Sequence, residues 1–463
     1  MKYLEFYSGI GGHRCALNEL VKRSSAPTSF LSSSSSSSTA TTSTTSTTTT
    51  TTDYCRCCPC LHDPSSPVVC LGAFDVSTSA NDTYHLNFPT PHKPSQKPIE
   101  KLTVEELDAF NADLWLMSPP CQPYTRQRAN EPTAKKDIND RRAASFTHLT
   151  RALPRMEHPP RFILLENVVG FESSESCQQW LDVLSLCKYN ILQFHLSPVQ
   201  FGIPNSRPRY YCIAQKHANT VLSQASSNTQ SSVSTSGIAA ANTTSTSATI
   251  PLHTSLDSFV PQEMTTSCQC WPDQTFAAPA LSKRLPLSAF LEHQGQVHTD
   301  VSSALVSLPM LSRSFSDCVD LVTPLSTTSC CFTKSYGSYL KGTGSLVVME
   351  KEPGDSLSLL GGSSNTIEEM TTVRDREASD RPTKRSKTEV KLVKEPSEAW
   401  HVKFGNDRLR YFTPTEIARL LGFPSSHTFH ESVSLKKKYA LLGNSLHVGT
   451  VARLLHILLS SPD

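Results

Sequence analysis

The sequence predicts an α/β fold built around a mostly parallel, doubly wound sheet, and two observations lead to this prediction. Apolar runs of strand length alternate with segments of helical periodicity through residues 1–216, which is the pattern of consecutive βαβ units. Glycine-rich or polar motifs follow four of these runs, at the strand ends where open α/β sheets bind ligands. The sequence therefore predicts a ligand site at the carboxyl edge of the sheet.

The predicted elements follow one another from a first strand to a helical C-terminal segment. A strand at 3–7 leads through a glycine turn into a helix, and a second strand follows at 68–74. Further strands are predicted at 113–117, 161–167, 189–196 and 209–215, and further helices at 100–110, near 143–153, at about 176–187 and within 409–459.

Composition divides the chain into one α/β domain, a smaller domain and inserts. The apolar fraction of 37% is low for a fully globular chain of 463 residues. Tracts of Ser and Thr bury too little apolar surface to order themselves. We expect a first domain over 1–216 with a disordered Ser/Thr insert at about 24–66, a low-complexity insert at 217–280, a small domain at 281–399 with a disordered charged stretch at 350–398, and a segment at 400–463 that rejoins the first domain.

Charge, cysteine usage and hydropathy narrow the class of protein. The net charge of +2 does not by itself indicate a nucleic-acid-binding protein. Any basic surface that binds nucleic acid must therefore be a local patch. The 15 cysteines are scattered, which indicates free thiols in a reducing compartment. No apolar run reaches the ~20 residues of a membrane span, and the first residues do not resemble a secretory signal. We expect a cytoplasmic protein without a membrane partner. The basic run 381–387 is either a nuclear localisation signal, in which case the protein is also nuclear, or a solvated linker.

The motif "YSGIGG", which contains Gly9 to Gly12, follows the first predicted strand. Glycines at this position let the backbone approach a ligand closely and open a helix N-terminus. An acidic residue about 20 positions further on binds ribose hydroxyls in such folds. Asp75 lies much further away, but removing the Ser/Thr insert restores roughly that spacing. The pattern predicts a bound nucleoside, although an ordinary glycine turn would give the same string.

Cys121 stands in the stretch "SPPCQP", directly after a predicted strand. A thiol acts as a nucleophile only as the thiolate, which needs positive or hydrogen-bonding surroundings and some access. Prolines on both sides fix the loop at low entropy. A buried structural cysteine would stand inside the strand, so the position favours a nucleophile.

Glu166 ends the apolar run "FILL", where desolvation can raise the pKa of a carboxyl group enough for proton donation. A helix N-cap or a buried ion pair is the structural alternative. Arg207 and Arg209 stand two apart on an extended segment, so both side chains are expected to point the same way. Two guanidinium groups directed the same way can bind a phosphate, or a base oxygen together with a carboxylate. The alternative is a pair of solvated arginines on the surface.

A cysteine cluster at 55–60, "CRCCPC", contains two overlapping C-x-x-C spacings. A structural zinc site needs a second cluster of matching geometry, and none follows. We therefore predict no metal site.

Six motifs, in this order along the chain, resemble those of the cytosine-5 methyltransferase family. They are "FYSGIGG", "SPPCQPYTR", "LLENVVGF", "NSRPRY", "RYFTPTEIARLLGFP" and "YALLGNSLHVGTVARLL". The resemblance covers roughly 1–23, 68–215 and 400–459. A further stretch, "CCFTKSYGSYLKGTGS" at 330–345, resembles the target-recognition segment of the tRNA-modifying branch. Two Ser/Thr-rich inserts, and Gln127 and Arg128 after the catalytic loop, depart from the family pattern.

The resemblance implies a Rossmann-like S-adenosylmethionine-dependent methyltransferase fold with a small target-recognition domain. It implies methyl transfer to carbon 5 of an anticodon-loop cytosine, expected in aspartate tRNA, through a covalent adduct of Cys121. By resemblance the catalytic residues are Cys121, Glu166, Arg207 and Arg209; the cofactor residues are Gly9, Ile10, Gly11, Gly12, Asp75, Ile99, Glu100, Ser118 and Asn444; and the substrate residues are Gln122, Thr125, Arg126, Asn167, Cys331, Phe332, Thr333 and Tyr336.

Two alternatives share this resemblance. A DNA cytosine-5 methyltransferase would use the same chemistry on duplex DNA, and an idle relative would bind nucleic acid without catalysis. The presence of every catalytic residue type disfavours the second. A redox-sensing thiol protein is more distant, because Cys121 has no C-x-x-C partner. The expected partner is the anticodon stem-loop of tRNA, and the expected state is a monomer.

Overall fold

The computed structural model describes residues 1–24, 67–90, 93–124, 137–216, 250–259, 284–292, 304–311, 318–349 and 409–460. Its strands are β1 (Lys2–Phe6), β2 (Val69–Phe74), β3 (Leu114–Met117), β4 (Phe162–Val168), β5 (Tyr189–Leu196), β6 (Arg209–Lys216), β7 (Leu252–His253), β8 (Asp320–Val322), β9 (Ser345–Val348) and β10 (Leu409–Tyr411). Its α-helices are α1 (Gly12–Ser24), α2 (Thr78–Asn87), α3 (Val104–Phe110), α4 (Ala144–Ala152), α5 (Glu175–Leu186), α6 (Leu308–Leu311), α7 (Pro414–Leu420), α8 (Leu435–Gly443) and α9 (Val448–Ser460).

Seven strands form the main sheet in the order β2-β1-β3-β4-β6-β5-β7. Each neighbouring pair is parallel except those made by β6, which runs antiparallel to β4 and to β5. The α/β fold with a mostly parallel sheet is therefore confirmed. Parallel pairing brings the carboxyl ends of β1 to β4 to one edge.

Alternate residues of each strand point to opposite sides of the sheet, and helices cover both of these faces. Leu116 and Leu164 belong to the core shared with α1 and α9. Trp115 and Ile163 belong to the core shared with α3, α4 and α5. The sheet is thus doubly wound. No helix within the described ranges is long and apolar enough to cross a membrane.

A second sheet has the order β10-β9-β8 and joins the small domain to the C-terminal segment. β10 lies in the stretch 400–463, but it pairs antiparallel with β9 instead of starting a helical region. The rings of Tyr336 and Tyr439 pack edge to face at 5.1 Å, and the Tyr439 hydroxyl donates to the Phe412 carbonyl. The small sheet and the C-terminal helices therefore share one core.

Two elements of the main domain depart from the sequence expectation. α2 was not predicted, because its buried face includes Asn81 and Thr83 and so lacks apolar periodicity. β7 lies inside the stretch 217–280 that composition marks as an insert. It pairs with β5, and the Gln193 side chain donates to the Ile250 carbonyl at 3.1 Å. The first predicted insert was expected from about residue 24, and α1 extends to Ser24. The remainder of that insert to 66, the stretch 350–398 and the run 381–387 lie outside the described residues.

Glu5, in the middle of β1, places a fully buried carboxyl group inside the fold. Neither carboxyl oxygen has a hydrogen bond of normal geometry to another described residue. Burial raises the pKa of Glu5 from its ordinary 4.5 to about 8, although the Arg14 guanidinium and the Tyr84 hydroxyl oppose the shift. Glu5 is thus held neutral at neutral pH.

Glu5→Gln is expected to stabilise the protein at pH 8 more than at pH 5. Between pH 4.5 and about 8 the unfolded chain loses this proton while the folded chain keeps it. Stability therefore falls as the pH rises through this window, by on the order of 3 kcal/mol. Thermal unfolding of both proteins at several pH values measures the effect. Glu431→Gln, at an exposed carboxylate, is the control, and a Glu5→Gln gain independent of pH would contradict the assignment.

Candidate active site

The carboxyl edge of the main sheet opens into one cavity of about 450 Å³. β1 leads into the glycine turn, β2 ends before Asp75, β3 ends before the Cys121 loop, and β4 carries Glu166. The predicted residues that line this cavity are Gly9, Ile10, Gly12, Asp75, Ile99, Glu100, Ser118, Cys121, Gln122, Glu166, Asn167, Arg207, Arg209 and Asn444. Residues up to 435 positions apart in the chain thus meet at one place.

The glycine turn is held in a form that side chains would prevent. Gly9 and Gly11 have φ angles of +53° and +89°, which favour glycine. A Cβ at Gly11 would lie 2.3 Å from the Phe88 ring, so this residue is needed for close packing. Gly11 does not line the cavity, in contrast to its neighbours. Its predicted cofactor contact is therefore indirect in this structure, through the shape of the turn.

Asp75 fastens the glycine turn to the start of α2. Its carboxylate accepts hydrogen bonds from the backbone amides of Gly9 at 2.9 Å and Ser77 at 2.8 Å. Burial raises its pKa, while these two backbone bonds lower it. Asp75 lines the cavity beside the apolar Ile10 and Ile99. A carboxylate next to apolar walls can accept from ribose hydroxyls beside a covered adenine, so this half of the cavity fits a nucleoside.

Ser118 and Asn444 also line the cavity. The Ser118 hydroxyl donates to the Tyr7 carbonyl at 3.1 Å, which ties the end of β3 to the end of β1. Asn444 follows α8 directly. The C-terminal segment therefore contributes to the cavity wall.

The Cys121 loop is held by bonds to its own backbone. The Asn167 side chain donates to the Pro119 carbonyl at 3.3 Å, and the Tyr124 amide donates to the Cys121 carbonyl at 3.0 Å. Burial raises the pKa of the Cys121 thiol, and the Arg209 guanidinium acts in the opposite direction. The thiol is therefore fixed in place and depends on a nearby cation to ionise.

Glu166 and Arg209 form a buried pair at the same wall. The Arg209 Nε lies 3.2 Å from the Glu166 Oε1. Burial raises the pKa of Glu166, and Arg209 and then Arg207 lower it in part. A carboxyl group poised in this way can hold or exchange a proton with a bound base. Glu166 and Cys121 face the same cavity, as their proposed joint role requires.

Arg207 is almost fully buried and serves the fold as well as the cavity. It donates to the Phe332 carbonyl at 3.1 Å and to the carbonyls of Gly443 and Ser445. It therefore joins β6, the segment 330–345 and the α8–α9 connection. The two arginines both reach the cavity wall, but only Arg209 pairs with Glu166 there.

The predicted substrate residues of the segment 330–345 lie behind the cavity wall. Cys331 accepts a bond from Arg207 at 3.2 Å, and the Arg207 and Arg209 guanidinium groups lower its pKa although burial opposes them. Phe332 and Tyr336 are buried and pack with each other at 5.0 Å. The Thr333 backbone packs against Gly443. Direct substrate contacts of Phe332 and Tyr336 are thus not supported, because packing occupies both rings.

Some of the predicted or candidate residues are not among those that the structure describes. Thr125 and Arg126 lie outside the described residues, as does the cysteine cluster at 55–60. Within the described ranges, no group of three or more His, Cys, Asp or Glu side chains is placed to hold a metal ion.

Arg141 and Lys437 are cavity residues that sequence reasoning missed. Both are exposed, and they reach the cavity from the turn before α4 and from the first turn of α8. The strings "DRRAAS" and "LKKKYA" are basic, and this local charge was the available signal. Charge alone does not reveal that the two strings meet at one cavity.

A thiol, a carboxyl group and a guanidinium line one cavity with a glycine turn at the carboxyl edge of a doubly wound sheet. This arrangement is the one expected of a Rossmann-like methyltransferase that modifies a base, and the comparisons with known proteins agree with that class. The family model of the C-5 cytosine-specific DNA methylase matches residues 64–459. The chain belongs to this cytosine-5 methyltransferase family.

Relatives and solved structures of the family span nearly the whole chain. The chain is 33% identical over 412 residues to the tRNA (cytosine(38)-C(5))-methyltransferase of Rattus norvegicus, covering 86% of this chain and 95% of that protein. It is 32% identical to the DNA (cytosine-5)-methyltransferase of Dictyostelium discoideum, covering 84% and 87%. The crystal structure of the S. pombe Dnmt2 methyltransferase is similar with a TM-score of 0.59 and 26% identity, covering 99% of this chain and 98% of that one.

Proposed function

We propose that this protein is a tRNA (cytosine-5) methyltransferase that modifies an anticodon-loop cytosine of aspartate tRNA. The observation that carries the proposal is the common cavity of Cys121, Glu166 and Arg209 beside the glycine turn. Relatives similar over most of their length and named tRNA (cytosine(38)-C(5))-methyltransferase support the choice of tRNA. The Dictyostelium relative named as a DNA enzyme keeps DNA as the second candidate.

S-adenosylmethionine is the proposed cofactor, and it supplies an electrophilic methyl group when bound. The residues fit it: Asp75 is available to the ribose hydroxyls, Ile99 offers an apolar wall to the adenine, and Ile10 lies at the methionine and ribose end. Gly9 and Gly12 bring the backbone close at the methionine end. Glu100, Ser118 and Asn444 complete the lining of this half.

Cys121 is the proposed nucleophile toward the cytosine ring. Its thiolate adds to ring carbon 6, and the ring electrons then make carbon 5 nucleophilic. After carbon 5 has received the methyl group, it loses its proton, the bond to sulfur breaks, and the thiolate is released. Arg209 favours the thiolate, because its positive charge opposes the effect of burial on the Cys121 pKa.

Glu166 is proposed to hold ring nitrogen 3 and the exocyclic amino group. Charge develops on the ring when sulfur adds, and a carboxyl group that shares its proton with nitrogen 3 stabilises that charge. Arg209 contacts the base oxygen and keeps Glu166 oriented through their 3.2 Å pair. Arg207 positions the surrounding segments instead of contacting the base.

A local basic surface beside the cavity supports a nucleic-acid substrate. Lys436 and Lys437 are exposed at the start of α8, and Arg141 is exposed and lines the same cavity as Lys437. Cations placed this way suit a phosphate backbone. The reacting base must leave its stack, and an anticodon loop is already single-stranded, so extrusion costs less there than in a duplex.

The substrate is tested by incubating the protein with labelled S-adenosylmethionine and either tRNA or duplex DNA. We expect label in tRNA alone, and bisulfite sequencing should locate one methylcytosine in the anticodon loop of aspartate tRNA. Label entering DNA as fast as tRNA would favour the DNA candidate. Label in neither would reject both.

A further inference from the structure

The loop 424–430, between α7 and α8, lies against the glycine turn. His427 Nε2 is 3.2 Å from the Ile10 carbonyl oxygen. Because a carbonyl can only accept, the hydrogen must be on Nε2. Burial lowers the pKa of His427, although the Ile10 bond opposes this. The ring therefore acts as a neutral donor to the backbone of the turn.

The same loop is tied to the end of α2 by a reciprocal pair of hydrogen bonds. The Asn87 side chain donates to the Thr428 carbonyl at 2.7 Å and accepts from the Thr428 amide at 2.9 Å. Residues 427 and 428 thus bind the two segments that enclose Asp75. The contact joins parts of the chain more than 300 residues apart.

The His427 ring is fixed by aromatic neighbours on both sides in sequence. Its centroid lies 4.5 Å from that of Phe423 and 5.8 Å from that of Phe429. A ring packed in this way loses little entropy when it donates a hydrogen bond. The donor is therefore preorganised toward Ile10.

The Ile10–Gly11 peptide unit is held at both of its polar atoms: the Gly11 amide donates to the Ser8 carbonyl at 3.0 Å, and the Ile10 carbonyl accepts from His427. The neighbours of Ile10, Gly9 and Gly11, are both glycines with positive φ, so the Ile10 peptide is flanked by the least restricted residue type. Ile10 lines the cavity and His427 does not. A carbonyl directed at His427 points toward the loop and leaves the cavity side of Ile10 to the ligand.

We propose that His427 is a positioning residue which, together with the Asn87–Thr428 pair, locks the Ile10 peptide in the form that receives the cofactor. The inference rests on the cofactor assignment in the proposed function. It does not depend on whether the methyl acceptor is tRNA or DNA. Cofactor binding is preorganised by a segment that touches no reacting atom.

The test measures binding of S-adenosylhomocysteine to the full chain by titration calorimetry, without nucleic acid. His427→Phe keeps a ring but removes the donor, and we expect the dissociation constant to rise about 3- to 10-fold, the value of one hydrogen bond. His427→Gln, whose amide can donate the same bond, should bind more tightly than His427→Phe. In methyl transfer, His427→Phe should raise KM for the cofactor and leave kcat near the parent value.

His430→Gln is the matched control, because His430 is a half-buried histidine of the same loop that bonds to Ser432 and not to the glycine turn. Parent-like binding by His427→Phe, or an equal loss in His430→Gln, would overturn the proposal. A parent protein that does not bind S-adenosylhomocysteine would instead reject the cofactor assignment.

Asn87→Ala provides a second, independent break of the same tie. It should also weaken S-adenosylhomocysteine binding, and its effect should be less than additive with that of His427→Phe, since both release one loop. Fully additive losses would mean that the two contacts act separately and would contradict a single lock. Melting temperatures of all variants identify any that fail to fold.

Discussion

Cys121→Ala is expected to lower methyl transfer at least about 10⁴-fold while leaving S-adenosylhomocysteine binding intact. The variant removes the sulfur that must add to ring carbon 6, and no other described cysteine lines the cavity. Single-turnover transfer from labelled cofactor measures the loss. Cys318→Ala, at an exposed cysteine outside the cavity, should keep the parent rate.

Trapping of the adduct tests the same residue without relying on a rate. RNA that carries 5-fluorocytosine at the target position cannot lose a proton from carbon 5, so the sulfur bond persists after methyl transfer. The parent should form a complex that survives denaturing electrophoresis, and Cys121→Ala should form none. A trapped complex in the variant would assign the nucleophile to another group.

Glu166→Gln is expected to lower kcat by about 10²- to 10³-fold. Glutamine fills the same space and can hydrogen bond to the base, but it cannot give a proton to ring nitrogen 3. Burial raises the pKa of Glu166, so the fraction of protonated carboxyl falls as the pH rises through this raised value. The parent kcat should contain that descending limb, and the variant should lack it.

The kinetic comparison needs a control variant that removes a carboxyl group outside the cavity. Glu172→Gln alters another carboxyl group after β4, which contacts His195 and does not line the cavity, and it should keep the parent kcat. If the kcat of Glu166→Gln is within a few-fold of the parent kcat and has the same pH profile, Glu166 does not donate a proton in the reaction.

Strands were readily predicted where the physical signal is local. β1, β3 and β4 are short apolar runs that end at polar motifs, and the structure begins and ends them within a residue or two of the expected positions. α2 and β7 could not be found in this way. α2 buries polar side chains that bond to nearby backbone, and β7 is stabilised by an edge of β5 that no local pattern reveals.

The same distinction between local signals and tertiary contacts applies to the residues of the candidate site. Gly9, Cys121 and Glu166 stand in recognisable strings, and the structure brings them to one cavity. Arg207 donates to the backbone carbonyls of Phe332 and Gly443. Every residue type has such a carbonyl, so the sequence could not predict that Arg207 joins these segments. The exposure of Lys437 at the same cavity depends on the docking of α8, which is also a tertiary property.

The packing of the last described helix against the first has a consequence for biosynthesis. Leu17 of α1 and Leu454 of α9 belong to one core, and Asn444 lines the cavity. At 5 to 20 residues per second, the ribosome needs roughly half a minute or more to make the residues between them. Until then the emerging N-terminal portion has a bare apolar helix face and half a pocket. The core around α1 and the complete cavity can therefore form only after α9 has been synthesised.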